Sequence, residues 1–327
     1  MNGFDLNCLI ESKKADIGAV KERINIAVSD GSASDDTKAV AREYTENTGK
    51  MIRPLMMLVC AGCVDKERRE KLLWSAAALE MLHTSTLLLD DIIDGADVRR
   101  GAPSAFAKYG TAVAICAGDY LLATSYDCLL SRGYADVAHD LVKLTKALCD
   151  GELIQDINRH NADVTEETYI KSIEGKTAAA FSVALKVASR ISGQDEAAQK
   201  LMGSFGMTLG KMFQIRDDIL DWTKTEAELG KPAGEDFRSG CYTLPAIHAL
   251  KDKNVRAELL KYTDNSENMS GEDFDNVRGL VIASGGIEYA KQRLSELETE
   301  ALGIISALPQ NDAVPAFRSL VGMCRKF

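Results

Sequence analysis

Apolar residues recur three and four positions apart along almost the whole chain, and no run alternates apolar with polar in the manner of a half-buried strand. The pattern predicts an all-α protein. Helices are expected over residues 6–28, 35–46, 70–94, 111–130, 134–158 and 165–190, an apolar helical stretch over 201–220, and further amphipathic helices from 244 to the C-terminus. The six prolines fall where these helices should begin or end. No linker rich in Pro, Gly or Ser and no shift in composition divides the chain, so residues 1–327 are read as a single domain.

The stretch 74–93 is Leu, Ile, Ala and Met over most of its length, with no Gly or Pro, and reads as a largely buried helix. At its end stand Asp90, Asp91 and Asp94. Asp90 and Asp94 lie one turn apart on one face, with Asp91 beside them. Three carboxylates so close repel one another, which calls for a cation. Carboxylate oxygens without His or Cys suit Mg²⁺, which keeps waters and takes further ligands from substrate phosphate. A solvated acidic helix end would carry the same residues, but the motif recurs as Asp217, Asp218 and Asp221 at the end of a second apolar stretch. Two such faces looking at each other across a helical bundle would hold metal ions with a diphosphate between them.

Positive charge stands near each acidic end in the sequence. Arg99 and Arg100 supply forked donors suited to phosphate oxygens. In Gly49-Lys50-Met51-Ile52-Arg53-Pro54, the proline suits the first turn of a helix, so Lys50 and Arg53 gather where the helix dipole and backbone amides favour an anion. A flexible basic loop is the competing reading there. Gly175-Lys176-Thr177 lies inside a predicted helix, where glycine either kinks the helix and exposes Lys176 or merely permits close packing. Lys231, in a loop rich in Gly and Pro, could be brought over the acidic site as part of a lid. His83 lies two turns before Asp90, and a single histidine on an apolar face is more often a satisfied core residue than a ligand.

Of the 327 residues, 46% are hydrophobic, ample for a buried core, and the net charge of −10 argues against nucleic acid as a partner. The charged N-terminus leaves no room for a signal peptide. The longest uncharged apolar run, residues 54–64, is too short to span a bilayer, so an integral membrane protein is not expected. Eight scattered cysteines fit reduced thiols in a cytoplasmic protein, with Cys60 and Cys63 read as core packing.

Taken together, Gly49, Lys50, Arg53 and Pro54, His83, the first aspartate-rich motif with Arg99-Arg100-Gly101, Gly118-Asp119, Lys176-Thr177, the second aspartate-rich motif and Gly230-Lys231-Pro232 stand in the order found in the head-to-tail trans-prenyl diphosphate synthases. The chain resembles that family from about residue 49 to 245. The resemblance implies an isoprenoid-synthase bundle of helices around a central cavity, working as a homodimer on isopentenyl diphosphate and an allylic prenyl diphosphate. By it, Asp90, Asp94 and Asp217 would ligate Mg²⁺, with Asp91, Asp218 and Asp221 as further ligands or supporting them. Arg99, Lys176 and Lys231 would bind the allylic diphosphate, and Lys50 and Arg53 of the Gly49 motif, together with His83 and Arg100, would hold isopentenyl diphosphate. Thr177 and Gln214 would lie near the allylic carbon and stabilise positive charge.

Short-chain members of the family usually carry an aromatic ring four or five residues before the first aspartate. Here those positions are Ser85 and Thr86, with Leu82 deeper, which implies an open tunnel and a long-chain product. A farnesyl or geranylgeranyl synthase is the alternative. Two departures stand out: Leu89 replaces a common histidine, and Cys241 occupies the place of a common phosphate-binding lysine. A terpene cyclase would not need Lys50, Arg53 and a second acidic motif. A non-catalytic partner subunit should have lost aspartates that are intact here.

Overall fold

The structure is a computed structural model and describes residues 11–30, 33–46, 49–99, 101–229, 233–263, 266, 269–308 and 313–327. The three- and four-residue apolar spacing resolves into helices α1 (Lys14–Ser29), α2 (Asp35–Glu46), α3 (Ile52–Ala61), α4 (Lys66–Ile93), α5 (Ala105–Tyr109), α6 (Thr111–Leu130), α7 (Ala135–Ile157) and α8 (Glu166–Ile173). A π-helical turn, Glu174–Ala178, leads into α9 (Ala179–Ile191) and α10 (Glu196–Thr223). The chain continues with α11 (Glu226–Leu229), α12 (Glu235–Arg238), α13 (Leu244–Ala249), α14 (Lys253–Leu259), a 3₁₀ turn (Leu260–Tyr262), α15 (Gly271–Ala283), α16 (Gly286–Ala307) and α17 (Ala313–Met323). The fold is all-α, as the periodicity predicts. One small difference is an antiparallel pair of two-residue strands, β1 (Val98–Arg99) and β2 (Ala102–Pro103), closed by Gly101 at φ +78. Two residues per strand are too few to show an alternation.

Helix boundaries follow from capping chemistry. The Asp65 carboxylate accepts the Arg68 amide at the start of α4, and Ser104, Thr165, Asp252 and Ser270 do the same for α5, α8, α14 and α15. Each side chain satisfies a donor that the first turn leaves without a helical partner. Because of its cap, α4 begins four residues earlier than predicted.

The described residues group into two compact units. The first comprises Met1–Thr145, Ser182–Gly203 and Pro309–Ala316. Its spine is α4, where Leu72, Leu73, Leu79, Met81 and Leu82 are buried. Burying each contributes about 1.5–3 kcal/mol. Near the start of α4, Trp74 donates its indole N–H to Glu70 at 2.7 Å, Arg23 pairs with Glu70 at 2.6 Å, and the Arg132 guanidinium lies 3.4 Å from the Trp74 ring centre. Toward the acidic end α6 packs against α4 at Gly118, where a Cβ would lie 3.1 Å from Leu89 Cδ2 and 3.5 Å from the Ser85 carbonyl. A side chain there would need Leu89 to give by a few tenths of an ångström.

The second unit comprises Lys146–Phe181, Ser204–Leu308 and Phe317–Phe327. Its core is aromatic: Trp222 packs on Phe237 and Phe274 with ring centres 5.7 and 5.8 Å apart, and Phe205 meets Phe317 at 5.2 Å.

By length and composition, α4 and α6 could each cross a membrane, a result hidden from a search for uncharged runs because their apolar windows tolerate a few charges. In α4, 78% of that window is buried inside the protein, whereas only 39% is buried in α6. The cysteines divide. Cys60 donates its thiol to the Leu185 carbonyl at 3.6 Å, as a packed cysteine does, but Cys63 is exposed because the helix has ended at Ala61.

Candidate active site

In the first unit the candidate residues lie along the second half of α4 and at the start of α3. Met51 takes a left-handed conformation, φ +47, ahead of α3, which starts the helix at Ile52 and places Pro54 in its first turn. Lys50 is exposed just before the helix, and Arg53 is half-buried within its first turn. His83 is half-buried, and its carbonyl accepts the Thr86 hydroxyl at 2.8 Å. Ser85 and Leu82 are buried.

The three aspartates of the first motif are not equivalent. Asp91 is buried and paired with Arg99, whose Nε donates to Oδ1 at 2.6 Å while an Nη also bonds to it. Such a charge-assisted grip fixes both side chains. Asp90 is half-buried and Asp94, which caps the helix, is exposed. Beside them Tyr44 has its phenol pushed up to about 12, first by burial and then by the charges of Glu43 and Asp91.

In the second unit the predicted kink is a π turn over Glu174–Ala178, a local widening of the helix that often marks functional sites. Close packing accompanies it. A Cβ at Gly175 would lie 2.5 Å from the Ala147 carbonyl, and one at Gly151 would lie 2.7 Å from the Ser172 carbonyl. The close-packing reading of the glycine therefore holds and the helix does widen there, but Lys176 is half-buried against Glu152 and not exposed. The turn directs three side chains to partners on other elements: Glu174 to Lys211 at 3.2 Å, Lys176 to Glu152 at 2.8 Å, and the Thr177 hydroxyl to Gln214 Oε1 at 2.7 Å. Gln214 in turn donates to Asp218 Oδ1 at 2.9 Å, and the Tyr169 hydroxyl donates to Asp218 Oδ2 at 2.5 Å.

Asp218 therefore matches Asp91: a buried middle aspartate held by the protein's own donors. Burial and the nearby Asp236 charge push its carboxyl well above the usual range, against the lowering effect of Tyr169 and Gln214. Asp217 is more open, with its side chain 44% exposed and bonded to Arg216 at 3.0 Å. The same Arg216 donates to the Lys326 carbonyl at 3.0 Å. Asp221 is buried; its carbonyl accepts the Gly234 amide at 3.1 Å and its carboxylate the Asp236 amide at 3.4 Å.

Cys241, the departure from the lysine pattern, is half-buried. Its thiol is raised first by burial, while the positive charges of Arg159 and Lys176 act in the opposite direction. Two cations thus already stand near that position. Arg159 is steadied by Asp156 at 2.7 Å and the Ser239 carbonyl at 3.3 Å.

Thr177, Gln214 and Asp218 are brought into one hydrogen-bonded chain, with Lys176 beside Thr177 on the π turn. Arg100 and Lys231 lie outside the described residues. Tyr169, Glu152 and Asp236 were not anticipated from the sequence; the only signal for Asp236 is its place just after the glycine-rich loop. Among the described residues no three His, Cys, Asp or Glu side chains converge to cage an ion by themselves. Mg²⁺ does not require that, since it is held through one or two carboxylates with water and phosphate completing its shell. Asp90 and Asp94 in the first unit, and Asp217 in the second, each offer carboxylate oxygens of the kind such an ion takes.

The polyprenyl synthetase family profile matches residues 35–278. The heptaprenyl diphosphate synthase component 2 of Geobacillus stearothermophilus is 34% identical over 310 residues, 93% of each chain. Among solved structures, a polyprenyl synthase from Caulobacter crescentus CB15, complexed with calcium and isoprenyl diphosphate, superposes with a TM-score of 0.88 at 27% identity, covering 99% of this chain and 98% of that one. A decaprenyl diphosphate synthase from Rhodobacter capsulatus gives 0.89 at 28% identity over 98% of both chains.

Proposed function

The chain belongs to the polyprenyl synthetase family, and on that footing we propose that it is a Mg²⁺-dependent prenyltransferase that condenses isopentenyl diphosphate with an allylic prenyl diphosphate, releasing diphosphate and lengthening the chain by one isoprene unit. The observation that carries this reading is the shared build of the two aspartate-rich motifs, each with its middle aspartate locked by protein donors and its first aspartate accessible. The family profile runs through both compact units, which supports a single catalytic domain over residues 1–327.

In this reading Asp90, Asp94 and Asp217 hold Mg²⁺, and Asp91, Asp218 and Asp221 support them. Bound there, Mg²⁺ would supply positive charge against the negative charge that grows on the leaving diphosphate. Arg99, Lys176 and Lys231 bind the same group and add fixed positive charge where it develops. Lys50, Arg53, His83 and Arg100 hold isopentenyl diphosphate, whose double bond attacks the allylic carbon. Thr177 and Gln214 present oxygen dipoles to the cationic carbon, and their mutual hydrogen bond fixes the orientation of both. The apolar helices exclude water that would trap the cation. The released diphosphate takes the proton lost from the isopentenyl unit.

The product is a long-chain polyprenyl diphosphate. Support comes from the small Ser85 and Thr86 side chains before Asp90 and from relatives whose names specify heptaprenyl and decaprenyl products. The enzyme is a cytoplasmic homodimer. Seven free thiols among the described residues fit a reducing compartment, and the exposed apolar positions Ala112, Val113, Ile115, Cys116 and Ala123 on α6 are what a second copy would cover. Because the Geobacillus relative is named a component, a second subunit is the competing arrangement. Incubation with Mg²⁺, labelled isopentenyl diphosphate and each allylic primer, followed by sizing of the products, tests the activity. Absence of elongation with every primer overturns it.

A further inference from the structure

Gly151 and Gly175 bring the backbones of α7 and the π turn closer than any other pair of residues at those positions would allow. A Cβ on Gly175 would lie 2.8 Å from Gly151 Cα, and the Ser172 hydroxyl pins the contact by donating to the Gly151 carbonyl at 3.0 Å. The next residue on each side is charged, so this approach sets Glu152 against Lys176. The Lys176 ammonium lies 2.8 Å from Glu152 Oε2 and 3.1 Å from Oε1, and the side chains of Lys176 and Glu152 are only 26% and 15% exposed.

A lysine side chain gives up much rotamer freedom when its ammonium is held in one place. Any task that needs its ammonium at one place benefits from a partner that has already restricted it. A carboxylate can do so without consuming all three N–H donors of an ammonium. The charge is partly shielded from water, which strengthens the pairing. Glu152 itself is placed by the glycine contact and not by the site chemistry, so it is a fixed point against which the lysine is set.

We propose that Glu152 is the positioning residue for Lys176, holding its ammonium ready for the allylic diphosphate. This rests on the assignment of Lys176 to that diphosphate made above. Removing Glu152 then weakens the allylic substrate alone. Glu152→Ala and Glu152→Gln, Lys176→Gln and the double variant Glu152→Ala/Lys176→Gln are assayed with Mg²⁺ for both KM values and kcat, with inorganic diphosphate binding followed by calorimetry and folding by thermal melting.

Glu152→Ala is expected to raise the allylic KM and weaken diphosphate binding roughly tenfold, the scale of one charge-assisted hydrogen bond. The KM for isopentenyl diphosphate stays put, Glu152→Gln falls between, and the double variant is no worse than Lys176→Gln alone. An unchanged allylic KM in both Glu152 variants while Lys176→Gln loses affinity overturns the positioning role. So does a Glu152→Ala effect that persists in full in the Lys176→Gln background. If Lys176→Gln itself leaves the allylic KM unchanged, the assignment of the lysine fails first and the positioning role with it.

Discussion

Replacing Tyr169 by Phe removes one hydroxyl from the centre of the second unit. That hydroxyl donates to Asp218 Oδ2 at 2.5 Å, and Gln214 supplies the donor on Oδ1 at 2.9 Å. Losing that hydrogen bond costs about 1.5–3 kcal/mol where the Asp218 carboxyl is ionised, and less where it is protonated. With a melting entropy near 2 cal/mol/K per residue, that corresponds to a fall in Tm of about 2–4 °C for a chain of this length. The pH dependence carries the sharper signature. Burial and Asp236 raise the Asp218 carboxyl in the folded protein, so its stabilising contribution is present below the unfolded value near about 4 and is lost as pH rises through the folded one. Tyr169 opposes that rise. Without it the folded value moves higher still, the loss extends to higher pH, and the gap between parent and Tyr169→Phe widens with pH. Melting of the metal-free protein in chelator, followed by circular dichroism from acid to mildly alkaline pH, measures the gap. A gap independent of pH, or no fall in Tm at any pH, refutes the reasoning.

Other outcomes follow from the same contacts. Asp90→Ala and Asp217→Ala should each abolish turnover while leaving the melting profile intact, and a near-normal rate in either removes that residue from the metal site. Thr86→Phe should shorten the products seen by chromatography, because the ring would fill space beside Ser85; unchanged lengths reject the assigned tunnel floor. If α6 is the homodimer face, alkylation of the native protein should label Cys63 and Cys149 and spare Cys116, all three of which are exposed in the single chain. Labelling of Cys116 at the rate of the others would place the interface elsewhere. Cys241→Lys should lower Tm without improving allylic KM, since a third cation would be partly buried beside Arg159 and Lys176; a clear gain in affinity contradicts this.

Local signals and long-range ones differed in how far the sequence carried them. Helix α4 was legible because its apolar period runs through residues in direct succession, and the acidic ends because their spacing is a property of one turn. Gly175 announced a break, but its choice between kink and close packing depended on Gly151 and Ala147, which pattern alone cannot bring alongside. The same limit hid the inequality of the aspartates. That Asp91 is tied to Arg99 and Asp218 to Tyr169, 49 residues away, follows only from packing. The hairpin at 98–103 is too short to leave a period, and Cys63 proved exposed because α3 stops two residues before it.

Asp221 has a consequence for redesign. By clasping both Gly234 and Asp236, it gives the loop that leaves α10 a fixed landing point. Gly234 sits against Phe274 with no space for a side chain, so the landing tolerates no change of residue there. Substituting Asp221 would release both amides at once, so its loss is expected to disturb residues 233–236 as well as the acidic motif, and a redesign that spares the aspartate keeps that anchorage.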